Sequence, residues 1–463
     1  KTRGLVLEKF KSFIVEEKDI EKYRVLVIST EHGDNSITAE RLEDEAKKLG
    51  FEFYVVKMNG SYIKFDNGKY TIHKDDDTKG FELNSDNTVC FMRGTPSRDS
   101  YLDLVSQLER IGIPMVNSRV CLERAADKYR TYLRLKAFGL DQPKTVLCPS
   151  PDAAEIAFEN LDTKFPIILK TLRGSKGIGV LFVESERSLN SLIQTLYKMD
   201  TEADLLMQEY IKTDYDVRAI VLDGKVIAAM RRNVVEGDFR SNASQGAKVE
   251  SIELTKLEID QCIHAAKSIG GIFTGVDFIP SKNRDTQNPL FLEVNSSPGT
   301  ESIEEATGLN ISKILLEYFK DKKKRYTVPN DCGYYESVTI KPFGAVVAKF
   351  DTGNSNNCIL HAEDVKVEGN QVTFKHKDKT YKTKHYGKYT SVTGGGEDER
   401  YIVKYDMEFS GTMYKGIEFG LDNRERMGTE VLLNRKTMRK LNVIVDPQRR
   451  FMVTTKAEVK EGE

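Results

Sequence analysis

Three polar side chains interrupt two apolar segments in a pattern that suits a divalent cation. Glu293 and Asn295 are two residues apart in FLEVNSS, so on a strand both leave the same face, together with Phe291. Asp277 interrupts a second apolar segment, TGVDFIP, where an unpaired carboxylate would be costly. Carboxylate and amide oxygens suit Mg²⁺, which completes its coordination with water and nucleotide phosphates. Each residue alone fits an ion pair or an exposed strand edge; the three together favour a cation site.

A lysine and a glycine-rich loop follow another apolar strand, in FPIILKTLRGSKGIGV. Gly174, Gly177 and Gly179 let backbone amides approach phosphate oxygens, and Lys170 and Lys176 can add positive charge. The spacing matches neither the Walker A motif nor the Rossmann fingerprint, and a glycine-rich turn alone is more often structural. Beside a cation site, the loop indicates phosphate binding.

Two further strands carry polar groups that fit a nucleotide. LLMQEYI ends at Glu209, Tyr210 and Ile211, where backbone groups could hydrogen-bond an adenine edge. In DVRAIVL, Asp216 and Arg218 share one face, and Asp216 could accept ribose hydroxyls. Taken singly, these are ordinary strand-edge residues.

Basic residues are concentrated in RRNVVEGDFRSN. Arg231, Arg232, Arg240 and Asn242 provide a suitable environment for phosphate and for a negatively charged intermediate. Each of these is also an ordinary loop residue when considered alone.

Length and composition limit the remaining possibilities. The 463 residues predict roughly three domains. Lys and Arg total 70 against 71 for Asp and Glu, a net charge of -1, which argues against a nucleic-acid or membrane-surface binder. No apolar run approaches the roughly 18 residues of a spanning helix, and the charged start lacks a signal-peptide core, so we expect a cytoplasmic protein. The six dispersed cysteines predict isolated thiols in a reducing compartment.

The order of predicted elements divides the chain into segments. After an extension at 1–23, residues 24–119 alternate strands and helices, which is typical of a parallel α/β domain. Residues 120–325 read as α+β, and 326–337 as a linker. Residues 338–463 are short strands between turns, for example VKVEGNQVTF with Gly369-Asn370 at the bend, and predict a small β barrel or sandwich.

Residues 25–325 resemble the RimK-type ATP-grasp ligases, the α-L-glutamate ligase family. The stretches that carry the resemblance include NTVCFMRGT, IPMVNS, DKYRTYLRLKAFGLDQPKT, FPIILKTLRGSKGIGVLFVES, LLMQEYIKTDYDVRAIVLDGKVIAAMRR, EGDFRSN, GVDFIP and FLEVNSSPGTESIEEATG. The resemblance implies an ATP-grasp fold preceded by a parallel α/β pre-ATP-grasp domain.

The resemblance also implies roles for individual residues. Lys128 and Lys170 would contact ATP phosphates under a lid formed by 174–179, which includes Gly174, Ser175, Gly177 and Gly179. Backbone of Glu209, Tyr210 and Ile211 would hold adenine, with Asp216 at the ribose and Arg240, Ser241 and Asn242 near the transferred phosphoryl group. Asp277, Glu293 and Asn295 would hold two Mg²⁺ ions, with Mn²⁺ as an alternative.

The reaction of that family would join an amine to a carboxylate. A substrate carboxylate attacks the γ-phosphate of ATP, and an amino acid, glutamate in this family, then attacks the acylphosphate. Arg232 or Arg240 can stabilise the oxyanion. The lid excludes water, which would hydrolyse the acylphosphate.

An apolar strand in the last segment ends at Asp351-Thr352-Gly353. A carboxylate at a strand tip before a glycine turn is how aspartic proteases present half of a catalytic pair, although an exposed turn is the commoner origin of D-T-G. Together with His361-Ala362, Asp422, Arg424, the V-L-L-N-R block and Asp446-Pro447, it resembles the retropepsin-like RimB family over about 336–455. This resemblance implies an all-β barrel in which Asp351 is catalytic.

A single D-T-G requires two chains to complete such a site, so the resemblance implies at least a homodimer. The Asn354–Asn357 stretch and the lysine-rich FKHKDKTYKTKHYGKY depart from the family pattern. That family is also labelled as zinc proteases, but the sequence contains no H-E-x-x-H motif to support this label.

These features lead to one hypothesis and two alternatives. The first is an ATP-dependent ligase that adds glutamate to a peptide or protein carboxylate, fused to a domain that hydrolyses or recognises the same tail. The alternatives are a small-molecule acceptor, and a C-terminal module that only binds or dimerises.

Overall fold

The structure is a computed structural model that describes residues 23–30, 37–67, 69–74, 77–96, 99–172, 179–200, 204–234, 248–325, 327–393 and 396–455. The chain forms two compact units, residues 1–327 and 328–463. The range 326–337, expected to be a linker, contains one strand and the start of another. Within the described ranges, none of the helices combines the length and apolar character that crossing a bilayer requires.

The first unit opens with a parallel sheet and two helices. Its elements are β1 (Arg24–Ser29), α1 (Ile37–Lys48), β2 (Glu52–Lys57), β3 (Ser61–Asp66), β4 (Lys69–Lys74), β5 (Phe81–Leu83), β6 (Thr88–Arg93), α2 (Asp99–Ile111) and β7 (Met115–Val116). The parallel order is β2-β1-β6-β7, and β3, β4 and β5 form a separate antiparallel sheet. The uninterrupted apolar runs in β1 and β6 are typical of strands buried on both faces.

A small antiparallel sheet with flanking helices follows. Its elements are α3 (Arg119–Ala126), α4 (Lys128–Ala137), β8 (Thr145–Cys148), α5 (Ala154–Leu161), β9 (Ile167–Thr171), β10 (Val180–Val183), α6 (Glu186–Met199) and β11 (Leu205–Glu209). The strand order is β10-β9-β11-β8. Asp127 caps α4, because its side chain accepts hydrogen bonds from the N–H groups of Tyr129 and Arg130.

A larger antiparallel sheet completes the first unit. Its elements are β12 (Tyr215–Leu222), β13 (Lys225–Asn233), β14 (Val249–Ser251), α7 (Lys256–Ile269), β15 (Phe273–Ile279), β16 (Leu290–Asn295), α8 (Glu301–Thr307) and α9 (Ile311–Lys320). The order is β14-β13-β12-β15-β16. A capping box between Thr255 and Glu258 starts α7, which ends at Gly270 in the left-handed conformation.

One hydrophobic core joins the parallel sheet to the large antiparallel sheet. Val25 and Phe91 of the former belong to the same buried cluster as Ile220, Met230 and Phe273 of the latter. The described residues of the range 23–119 therefore share a core with the rest of the unit.

Asn117, which follows β7 and is fully buried, links the same two sheets. Its Nδ2 donates to the carbonyls of Phe273 and Ser296, at 2.6 and 2.7 Å, and its Oδ1 accepts from the N–H groups of Ile272 and Phe273. Both N–H groups and both lone pairs of the Asn117 side-chain amide are thus used in hydrogen bonds.

The second unit is a strand-rich domain. Its elements are β17 (Asn330–Gly333), β18 (Tyr335–Ile340), β19 (Gly344–Phe350), β20 (Cys358–His361), β21 (Glu363–Glu368), β22 (Gln371–His376), β23 (Lys379–Lys384), β24 (Lys388–Thr393), β25 (Gly396–Phe409), β26 (Thr412–Asp422), β27 (Val431–Leu433), α10 (Arg435–Leu441) and β28 (Val443–Asp446). Strands β18-β19-β27-β20-β26-β25 follow one another in a sheet that closes through β18–β25 pairing. This six-stranded barrel confirms the predicted β barrel.

Candidate active site

Lys170 lies near the end of β9 and reaches towards β11. Its Nζ donates to Gln208 Oε1 at 2.7 Å, and Gln208 Nε2 donates to Thr145 Oγ1 at 2.8 Å. Burial lowers the pKa of Lys170 to about 8; the attraction of Glu293 opposes this shift, and Lys128 adds to it. A cation so placed gains from any anion that enters beside it.

Lys128, the first residue of α4, lies close to the end of β9. Its backbone N–H and its Nζ point to the carbonyl of Leu172, at 3.2 and 3.4 Å. Burial lowers the pKa of Lys128 as well, and Glu293 opposes the shift more than Asp127 does. Because one carboxylate acts on both lysines, α4, β9 and β16 bring opposite charges to one place.

One face of the large sheet carries a row of charged side chains from four strands. In the strand register Arg232 is opposite Asp216, Arg218 is opposite Asp277, and Asp277 is opposite Glu293. Residues directly opposite on antiparallel strands have Cβ atoms about 5 Å apart, so these five side chains are immediate neighbours.

The pairing of β15 with β16 is irregular beside this row. The register shifts after Asp277, so that Phe278 is opposite Phe291 rather than Leu292. The expectation that Phe291 shares a face with Glu293 is wrong, because simple alternation fails at the shift. Phe291 is instead fully buried in the same core cluster as Val294.

Ion pairs tie the row together. Arg218 donates to both oxygens of Asp277, at 2.7 and 2.6 Å, and Arg232 donates to the same carboxylate at 3.0 Å. Arg232 also binds both oxygens of Asp216, each at 2.7 Å. Burial raises the pKa of Asp277, but Arg218 and Arg232 outweigh it and hold the pKa low, at about 2. The Asp277 carboxylate is therefore ionised and hydrogen-bonded by two guanidinium groups.

The donor set nevertheless fits a cation. A carboxylate has about four lone-pair positions, and the two arginines use three of those on Asp277. Among the described residues, no hydrogen bond or ion pair within 4 Å engages the Glu293 carboxylate or the Asn295 amide. Asn295 is opposite Gly275, two residues before Asp277, and completes a set of hard oxygen donors. In those residues there is no group of three or more acids, histidines or cysteines that could hold a metal ion, so the donor set here consists of two acids and an amide.

The end of β11 offers backbone groups for an adenine edge. The Glu209 N–H donates to the carbonyl of Lys144 at 2.9 Å, so this amide is already in use. Within the described ranges, the backbone groups of Tyr210 and Ile211 form no hydrogen bonds with other backbone groups. The adenine role expected for the backbone of Glu209, Tyr210 and Ile211 stays a prediction.

Gly179, just before β10, satisfies a local steric requirement. Its φ is +80°, and a Cβ there would lie 2.3 Å from Thr171 Oγ1. Its carbonyl accepts the Thr171 N–H at 3.0 Å, a bond that extends the pairing of β9 with β10 by one residue. The other predicted loop residues, Gly174, Ser175, Lys176, Gly177, Arg240, Ser241 and Asn242, lie outside the described residues.

In the second unit, Asp351 directly follows β19. Its N–H donates to the carbonyl of Leu433 at 3.0 Å, and its Oδ1 accepts the Gly353 N–H at 2.9 Å. Burial lowers the pKa of Arg424, which Asp422 and, more weakly, Asp351 raise. The aspartate is thus held at the tip of a barrel strand, within the electrostatic reach of a buried arginine.

Two buried histidines lie in the same unit, their ring centroids 5.9 Å apart. His361 Nδ1 accepts the Arg424 N–H at 2.9 Å, and His376 Nδ1 lies 2.9 Å from the His361 carbonyl oxygen. The Nδ1 atom of each ring is therefore engaged by the backbone, and the Nε2 atoms lie 3.2 Å from Glu363 and 3.4 Å from Glu430.

Some residues at the site were not singled out from the sequence. The sequence pattern indicates Arg218 only as a neighbour of Asp216, and it indicates no role for the Gln208 side chain or for Arg93. Arg218 is two residues from Asp216 and opposite Asp277, and Gln208 is two residues from Tyr210 on a strand paired with the strand of Lys170. Knowledge of the strand pairing would therefore have identified both.

Comparison with known proteins places both units. The model of the RimK-like ATP-grasp domain family matches residues 125–319, and that of the retropepsin-like aspartic endopeptidase RimB family matches 332–456. A solved structure described as the ATP-grasp ligase PsnB complexed with minimal precursor superposes with a TM-score of 0.51 at 19% identity, over 65% of this chain and 99% of that chain. This likeness shows the ATP-grasp fold.

Curated relatives agree with the fold. A protein of Teredinibacter turnerae named probable alpha-L-glutamate ligase is 32% identical over 299 residues, which are 64% of this chain and 95% of the relative. A protein of the same name from Vibrio atlanticus is 37% identical over 223 residues, 48% of this chain and 72% of that one. The chain therefore belongs to the RimK-type ATP-grasp α-L-glutamate ligase family, and it carries in addition a RimB-like retropepsin domain.

Proposed function

We propose that the chain uses ATP and Mg²⁺ to join glutamate to a carboxylate of a peptide or protein, through an acylphosphate. The observation that carries the proposal is that the Glu293 carboxylate attracts the charges of both Lys128 and Lys170. At the same time Glu293 lies opposite Asp277 on the neighbouring strand. Lysines that bind phosphate and acids that bind a cation thus face one space, as phosphoryl transfer requires.

In the first step, a carboxylate oxygen of the acceptor bonds to the γ-phosphorus of ATP, and ADP leaves with the bridging oxygen. Lys128 and Lys170 offset the charge of the phosphates, and their lowered pKa values reflect burial, which an entering phosphate would counteract. The backbone of Glu209, Tyr210 and Ile211 would hold adenine. Asp216 would accept a ribose hydroxyl while it keeps Arg232 in place.

Asp277, Glu293 and Asn295 are the proposed ligands of two Mg²⁺ ions. Bound there, the ions would offset phosphate charge and orient the transferred group. The remaining lone-pair position of Asp277 and the available oxygens of Glu293 and Asn295 support the assignment.

In the second step, the amine nitrogen of glutamate bonds to the acyl carbon, phosphate leaves, and the nitrogen loses a proton to give an amide. A tetrahedral oxyanion forms on the way, and Arg232 is the proposed donor to it. The bidentate contact with Asp216 fixes the Arg232 guanidinium, which limits the reorganisation needed during the reaction. Arg240 is a second proposed donor.

The names of relatives support the substrates. The relatives named probable alpha-L-glutamate ligase support glutamate as the amino acid. The precursor complexed with PsnB supports a peptide acceptor. A small-molecule acceptor remains the alternative, and the product mass separates the two.

The test combines the full chain with ATP, Mg²⁺, glutamate and candidate acceptors, and measures ADP release and the mass of the product. We expect the acceptor to gain glutamyl residues, and Lys170→Ala or Asp277→Ala to lower the rate at least about 100-fold. Asp351→Ala is the matched control and should ligate normally. Undiminished ligation by Lys170→Ala would contradict the site.

For the second unit we propose an aspartic peptidase half-site that acts on the same glutamyl tail. The supporting observation is the position of Asp351 at the tip of β19 in a closed barrel, with Oδ1 held by Gly353. Two such carboxylates that share a proton could activate water, so a second copy must supply the other Asp351. The alternative is a module that binds or dimerises without hydrolysis.

The experiment for this unit incubates glutamylated product with the wild type and with Asp351→Asn, and follows tail length by mass spectrometry. Shortening that depends on Asp351, together with a dimeric mass in sedimentation, is expected. Equal shortening by both proteins would refute the peptidase role, and a dimer without shortening would favour the binding alternative.

A further inference from the structure

The parallel sheet of the first unit changes winding direction between β1 and β6. From β1 the chain crosses to β2 on one side, whereas β6 and β7 lie on the other side. Such a switch point leaves a crevice outside the carboxyl ends of the two strands, where open α/β sheets bind ligands. Ser29 and Arg93 are the last residues of these strands and lie opposite each other.

Arg93 is buried with few partners. The residue is 6% exposed, and its Nη2 donates to the carbonyl of Pro298 at 3.0 Å. Its Nε is shielded from solvent and has no hydrogen-bond partner. A guanidinium has five N–H donors and matches carboxylates in particular. Burial lowers the pKa of Arg93 to about 10, and Glu301 opposes this, but among the described residues no carboxylate lies within ion-pair distance of Arg93.

The other buried arginine of the described part of this unit is different. Arg232, 3% exposed, is bidentate with Asp216 and also binds Asp277. A buried guanidinium without such a partner is costly, because desolvation of the charge is not repaid. Arg93 therefore has capacity for an anion that the described protein residues do not fill.

Arg93 is also hydrogen-bonded to the loop that follows β16 of the candidate active site. Pro298, which it contacts, follows the proposed cation ligand Asn295 by three residues. Beside it, the Gly94 N–H donates to Ser297 Oγ at 2.9 Å, and Ser297 Oγ donates to the Met92 carbonyl at 3.2 Å. The end of β6 thus adjoins the loop that leaves the cation-binding strand.

We propose that Arg93 binds a substrate carboxylate that takes no part in bond formation. The inference rests on the proposed function, in which the incoming glutamate and an acidic acceptor both bring such a carboxylate. Because Arg93 is largely buried, the low-dielectric surroundings strengthen its contact with a carboxylate.

The experiment measures kcat and KM for glutamate, for the acceptor and for ATP with Arg93→Gln and Arg93→Lys. Each amino-acid KM is compared between glutamate and a neutral amide analogue, and each acceptor KM between an acidic peptide and its amidated form. Ser297→Ala is the matched control, because it loosens the same loop but keeps the guanidinium. Thermal unfolding checks that each variant is folded.

In Arg93→Gln we expect the KM for one charged substrate to rise on the order of 100-fold, and the preference for the charged over the neutral form to disappear. The substrate whose KM rises identifies the source of the carboxylate. Arg93→Lys should restore part of the preference, and Ser297→Ala should keep it. If Arg93→Gln is unfolded, the same preference is read from Arg93→Lys, in which loss of the bidentate fork should weaken it.

An unchanged charge preference in a folded, active Arg93 variant would overturn the inference, as would an equal rise in all three KM values. Either result leaves the proposed function intact. Absence of ligation by the wild type would instead refute the proposed function.

Discussion

Replacing Lys170 with methionine should stabilise the ATP-free protein while it removes activity. Burial lowers the pKa of Lys170 from 10.5 to about 8. At about 1.4 kcal/mol per pKa unit, keeping this lysine charged at pH 7 costs at most about 3 kcal/mol. Methionine removes that cost but leaves Gln208 Oε1 without its donor, which costs roughly 1 to 3 kcal/mol. We expect a net change of about 0 to 2 kcal/mol in favour of the variant.

The pH dependence gives a second readout of the same group. Between pH 8 and 10.5 the unfolded lysine binds a proton that the folded lysine has lost, so the Lys170 contribution to stability rises with pH through that window. Below pH 8 the penalty is complete. Lys170→Met should lack this rise, whereas Lys198→Met, at an exposed position of α6, should keep it.

The assay is urea unfolding at pH 7 and at pH 10, together with thermal unfolding with and without Mg²⁺-ATP. ATP supplies the missing counter-charge, so it should stabilise the wild type and the Lys198 control more than Lys170→Met. A Lys170→Met protein that is clearly less stable than the wild type at pH 7, or that ATP stabilises as much as the wild type, would refute the reasoning.

Three further substitutions test individual contacts. Arg218→Gln removes two of the three hydrogen bonds to Asp277, so we expect several-fold tighter Mn²⁺ binding in the absence of nucleotide, measured by electron paramagnetic resonance. The same variant should lose roughly 3 kcal/mol in stability, and an unchanged Mn²⁺ affinity would contradict competition between Arg218 and the cation. Asn117→Ala leaves four backbone groups of the large sheet unpaired and should cost about 4 kcal/mol in urea unfolding, and a cost below about 1 kcal/mol would show that water replaces the side chain. Gly179→Ala should destabilise by about 1 to 2 kcal/mol more than Gly139→Ala, because both have positive φ but only the first Cβ meets an atom, Thr171 Oγ1; equal losses would assign the whole effect to φ.

Local patterns were sufficient to predict much of the architecture. The run RVLVIS forms a buried parallel strand, and VKVEGNQVTF forms the hairpin of β21 and β22 with Gly369-Asn370 at its bend. Apolar continuity and turn residues encode these features within about ten residues, so they can be read without knowledge of the tertiary structure.

The contacts within the candidate site depend on strand pairing and could not be read in that way. Asp277 meets Arg218 and Arg232 only because β12 lies between β13 and β15, an order that residue types do not specify. For the same reason Asp216 was expected at a ribose, and its bidentate pair with Arg232 was not foreseen. The register shift after Asp277, which buries Phe291, is likewise a tertiary feature.

The core shared by the parallel sheet and the large sheet limits how this enzyme can be divided or recombined. A fragment that starts at residue 120 would lose Asn117 and expose apolar side chains such as Ile220 and Phe273 to water. Exchange of the first 119 residues with those of a relative would have to keep the facing side chains matched across that core. In this chain the first segment therefore depends on the large sheet for its folded core, whereas the barrel has a hydrophobic core of its own.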